Sequence, residues 1–119
     1  MKIETHKINN TKIAEIISET VFIKTAQDVL DLLGNLYYQD VDKIVIQEKS
    51  ITPDFFDLKN GIAGEILQKF SNYRIRLAIV GDFTQYSSKS TKDFMYESNK
   101  NRQINFVSST SEALKVLSK

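Results

Sequence analysis

The side chains with the reach for chemistry gather at two points of the chain. One is Glu48-Lys49, followed by Asp57 and by Asn60-Gly61; the other is Asp82-Phe83-Thr84. Each lies just past a segment that reads as a strand, and in an open α/β sheet ligands meet the carboxyl ends of the strands. A cleft there would offer Asp57, Asn60, Asp82 and Thr84 to a small molecule or an anion. The same residue types also serve local ends, since aspartate and asparagine cap helices and aspartate with threonine closes turns. Capping is therefore the competing account of each of them.

Other constellations carry less. Gln47-Glu48-Lys49 with Asp40 and Asp42 has the residue types of a metal-dependent nuclease, but that chemistry needs carboxylates converging on one Mg²⁺, and this spacing is commonplace. His6 is the only histidine and falls on an apparent edge hairpin, with no serine or aspartate placed beside it, so it reads as a surface residue rather than a base. Ser87–Lys92 precedes a helix whose first amides suit an anion, yet no glycine-rich loop accompanies it, and capping explains it better. No catalytic set, cofactor or metal is expected from these patterns.

The aromatic residues include the adjacent pairs Tyr37-Tyr38 and Phe55-Phe56, and a regular element cannot bury both members of a pair on one face. Phe55-Phe56 follows Pro53 in a loop and is the pair expected to stand exposed and anchor a protein partner. Closing one end of the sheet is the alternative use for it.

Composition bounds the classes. The chain has 119 residues, within the usual range of one domain, and is 41% hydrophobic and 26% charged. A net charge of +1 supplies no field for nucleic acid or acidic membrane. There is no cysteine, so disulfides, thiolate metal sites and cysteine nucleophiles are excluded together. The opening MKIETHKINN has no apolar signal core, and no segment approaches the ~20 apolar residues of a membrane span, so a cytoplasmic location is expected.

The elements that must position these residues follow from periodicity. Lys2–Ile8 and Thr11–Ser18 are β-branched and joined by Asn9-Asn10, a pair that tolerates positive φ and reads as a hairpin turn at a sheet edge. Thr25 opens a helix with Asp28 in its first turn, whose inward stripe is Val29, Leu30, Leu33, Leu36 and Tyr37. Lys43–Gln47 is a short apolar strand. Ile62, Ala63, Ile66, Leu67 and Phe70 form the buried stripe of the next helix. Gly34 is expected to let its helix lie close to the sheet, and Gly61 with Gly64 to do the same or to let a partner come near the helix N-terminus. Arg74–Gly81 is too apolar for a half-exposed strand and reads as a central one. Ser90–Asn101 is a helix, Gln103–Val107 a strand, and Ser109-Thr110 with Glu112 caps a last helix. The order β-β-α-β-α-β-α-β-α predicts one α/β domain over residues 1–119. Its mainly parallel sheet carries helices and an antiparallel N-terminal hairpin.

At FFDLKNGIAGEILQKFSNYRIRLAIVGDF, and again at DFMYESNKNRQINFV, the chain resembles a family of small bacterial proteins that carry a domain of unknown function. It is more distantly similar to STAS domains, the sulfate-transporter and anti-sigma-factor-antagonist fold, which share the element order and open a helix with an Asp-Ser-Ser-Gly-Leu-Gly type turn. Leu58–Ala63 falls at that turn: Gly61 matches its first glycine, Asn60 stands where antagonists carry the phosphorylated serine, and Asp57 comes one residue early. The resemblance implies a non-enzymatic interaction or regulatory module that meets a protein through Ile51–Gly61, without the phosphoserine switch. A small-molecule or anion-binding domain at the strand ends is the other reading.

Overall fold

The computed structural model describes residues Met1–Lys119. Five strands form one sheet in chain order: β1 (Lys2–Ile8), β2 (Thr11–Ile17), β3 (Lys43–Gln47), β4 (Arg76–Val80) and β5 (Ile104–Val107). β1 runs antiparallel to β2, and β2 through β5 are mutually parallel. The expected α/β architecture, with its antiparallel edge hairpin, is the one observed. Asn9 and Asn10 have φ of 51° and 64°, which makes the two-residue turn whose twist suits a hairpin.

Helices α1 (Ala26–Leu36), α2 (Ile62–Asn72) and α3 (Lys89–Asn101) are the crossovers, and α4 (Thr110–Leu117) follows the last strand. Because the parallel strands succeed one another in one direction, same-handed crossovers set α1, α2 and α3 on one face. Strand period two then sorts the residues. Ala14, Ile16, Ile44, Ile46, Leu77, Ile79 and Phe106 bury against Val29, Leu33, Ile66, Phe70 and Met95 in the main core. On the other face Ile13, Val45, Ala78, Val80 and Val107 bury under Ala113 and Leu117 of α4.

Local chemistry sets the helix ends. The Thr25 hydroxyl accepts from the Asp28 amide at 3.3 Å while the Asp28 carboxylate accepts from the Thr25 amide at 3.0 Å, a reciprocal cap. Ser109 accepts from the Glu112 amide at 3.1 Å to start α4. Val21-Phe22-Ile23 makes a single parallel bridge, Ile23 to Ile51, and the carbonyl of buried Ser50 accepts from the amides of Phe22 and Ile23 at 3.0 and 3.1 Å.

Several expectations are corrected. Tyr37 is not part of the α1 stripe but 71% exposed, and Leu32 takes a buried place in that stripe instead. Gly34 and Gly64 face open space, where a Cβ would meet nothing, so close packing does not explain them. β4 begins at Arg76, because Arg74 has φ 56° and ends the preceding turn.

Candidate functional site

Glu48 leaves β3 in a short 3₁₀ turn and lays its side chain across Gly81, at the end of β4. A Cβ on Gly81 would lie 2.6 Å from the Glu48 Cβ, so the glycine is what lets that carboxylate pass. Glu48 then accepts from Gln85 Nε2 at 2.9 Å and from the Tyr86 hydroxyl in a short hydrogen bond. Burial, then this bond and the adjacent charge, push the Tyr86 phenol above its ordinary range, so it remains a proton donor. Glu48 is thereby tied into the strand ends.

The remaining strand-end residues satisfy one another. Thr84 donates to Asp82 Oδ1 through its hydroxyl at 2.5 Å and its amide at 3.1 Å, and together these hold the carboxyl below the usual carboxylate range. Asp57 accepts from the Lys59 amide at 3.4 Å. The Asn60 side chain donates to the Asp54 carbonyl at 3.0 Å and accepts from the Ile62 amide at 2.9 Å. Gly61, with φ 76°, makes the left-handed step into α2. Asp82 and Thr84 border one depression and Asp57 another, so the expected polar contacts do not converge on a single cleft.

Phe55 and Phe56 are not exposed: they are 0% and 6% accessible. Pro53–Phe56 is a 3₁₀ turn that wraps the rim of the sheet, so both rings point inward. Phe56 meets the ring of Tyr86 at 4.7 Å and that of Phe106 at 6.5 Å, which closes the carboxyl end of the sheet with aromatic rings.

The largest cavity lies at the opposite end. About 710 Å³ in volume, it opens beside the first residues of β2 and β3 and is lined by Lys12, Leu33, Tyr37, Val41, Lys43 and Tyr73 among others. Ligand sites commonly fall in this size range. A second depression around Gly34 shares Leu33, Tyr37 and Tyr73 and adds Tyr38. Tyr37, Tyr38 and Tyr73 are 71%, 91% and 56% exposed, and the first two meet edge to face at 4.9 Å. Both cations here are engaged, Lys12 with the Gln39 carbonyl at 2.5 Å and Lys43 with Asp42 at 3.3 Å.

A family model spans residues 8–117, nearly the whole chain. The chain belongs to the family described as Domain of unknown function (DUF4180). No curated protein and no solved structure matches it. The DUF4180 match begins at the last residue of β1, so almost all of the first strand lies outside it. No helix of this DUF4180 domain is long and apolar enough to cross a membrane.

Sequence reasoning missed the tyrosine end. The signal for it is the hydroxyl: none of the seven phenylalanines is exposed, whereas four of the five tyrosines are.

Proposed function

We propose that this domain is a cytoplasmic, non-enzymatic recognition module that docks a partner protein at its tyrosine end. The observation that carries the reading is the exposed group Tyr37, Tyr38 and Tyr73, of which Tyr37 and Tyr73 line the 710 Å³ cavity and Tyr38 the depression beside it. Tyrosine combines a large apolar face with a hydroxyl that tolerates water, and it is enriched where proteins meet. Lys43 is paired with Asp42 and Lys12 donates to the Gln39 carbonyl, while Asp40 adds a carboxylate to a lining whose apolar part is Leu33, Leu36, Val41, Ile44 and Ile75. The occupant it suits is a segment of another protein that brings apolar side chains to Leu33, Val41 and the tyrosine rings and a donor or cation to Asp40. The titrating groups with shifted behaviour, Arg76, Asp82 and Tyr86, stand elsewhere, each in contacts that tie the fold together.

The regulatory part of this reading rests on the resemblance of the sequence Leu58–Ala63 to the helix-opening turn of STAS domains. Asn60 there has no hydroxyl to phosphorylate and is occupied in joining Asp54 to Ile62, so regulation would act through partner binding alone. The test is affinity capture from the native host with wild type and with Tyr37→Ser/Tyr38→Ser/Tyr73→Ser. Partners lost by the triple variant are expected; identical partner sets would refute the surface. A small apolar metabolite that saturates the cavity and shifts the melting temperature would favour the ligand-binding reading instead.

A further inference from the structure

Three side chains outside this surface stand together on the N-terminal hairpin. Glu4 and His6 are two apart on β1 and therefore share a face, and the strand register sets Glu15 of β2 directly opposite Glu4. Their ligating atoms all lie within 4.8 Å of one another, and His6 Nε2 is 3.0 Å from Glu15 Oε1. The face is the one that α4 covers over β3, β4 and β5; here on β1 and β2, Glu4 and His6 remain half-exposed.

Two features set the group apart from an ordinary surface pair. Like charges directly opposite in a strand pair are destabilising, and Glu4 faces Glu15 in that way. Glu15 is also only 9% exposed, and a buried carboxylate needs a cation or donors to offset lost hydration. Lys2 reaches Glu4 at 3.0 Å from a 70% exposed position, so it neutralises the outer carboxylate and leaves the inner one to His6.

We propose that Glu4, His6 and Glu15 form a site for a divalent transition-metal ion of the Zn²⁺ type. One imidazole nitrogen and two carboxylate oxygens make a ligand set that suits zinc, whereas Mg²⁺ and Ca²⁺ take oxygen alone. In tetrahedral geometry, bonds of about 2.0–2.2 Å put ligand atoms roughly 3.3–3.6 Å apart, so the widest pair would close by about 1 Å through side-chain rotation. The ion would take the place of the hydrogen bond between His6 Nε2 and Glu15, and its remaining coordination positions would face solvent.

The test is titration of chelator-treated, desalted protein with Zn²⁺ by calorimetry and with Co²⁺ by visible absorption. One equivalent with a micromolar dissociation constant is expected, along with Co²⁺ bands of low coordination number and no comparable response to Mg²⁺. His6→Ala and Glu4→Gln should each weaken binding about tenfold or more, and Glu4→Gln leaves the His6–Glu15 hydrogen bond in place. Unchanged affinity in His6→Ala, or no saturable binding of wild type at millimolar Zn²⁺, would overturn the site. Circular dichroism of each variant separates loss of the site from loss of the fold.

Discussion

At the scale of single residues, the strand ends are held by a few side chains with no slack. Gly81→Ala sets a methyl group against the Glu48 side chain and should destabilise by about 1–3 kcal/mol, read from urea unfolding at unchanged slope. Tyr86→Phe leaves Glu48 with only its Gln85 donor and should cost about 1 kcal/mol. Its pH signature is more specific. The folded state holds the Tyr86 proton more tightly than the unfolded chain, so this group's stabilisation is complete at neutral pH. It fades as pH rises above about 10, where the unfolded phenol ionises first. Tyr86→Phe should therefore unfold less steeply with alkali than wild type, and equal slopes would contradict the assignment. None of this was readable from Glu48-Lys49, which has the polarity of a solvated loop. Its partners, Gly81, Gln85 and Tyr86, are more than thirty residues away.

At the scale of elements, periodicity carried most of the fold. The apolar stripes of α1 and α2 and the Thr25 and Ser109 caps are local patterns, and they recur in the structure because local chemistry fixes them. Phe55-Phe56 could not be read in that way. A 3₁₀ turn at a sheet rim has no repeat, so both rings are buried where two adjacent aromatics suggested exposure. Phe56→Ala should cost about 3–5 kcal/mol in chemical unfolding, the scale of a core aromatic rather than a surface one. The edge strand β5 supplies a second case. Asn99 of α3 accepts from the Phe106 amide at 2.7 Å and donates to the Phe106 carbonyl at 3.4 Å, standing in for part of a missing neighbour strand. Asn99→Ala should lose about 1–3 kcal/mol and speed amide exchange at Phe106.

At the scale of the molecule, the two ends of the sheet have opposite characters. Phenylalanines and the Glu48–Tyr86 bond close the carboxyl end, while tyrosines and a cavity open the amino end. The usual rule for α/β sheets points to the carboxyl ends, where Asp82 with Thr84 and Glu48 with Gln85 already complete one another's hydrogen bonds. Tyr73 closes α2 and Tyr37 follows α1, so only the packing of those two helices against each other brings the tyrosines together. Sequence spacing contains no trace of it. Because these rings are exposed, replacing all of them should change stability by less than about 1 kcal/mol, apart from any effect on binding. The most direct measurement is photocrosslinking in the native host, with a crosslinking residue placed at Tyr38 and, as control, at exposed Tyr96 on α3. A discrete protein adduct at Tyr38 that is absent at Tyr96 is the predicted result. Adducts at Tyr96 alone, or equal patterns at both, would contradict a partner surface at the tyrosine end.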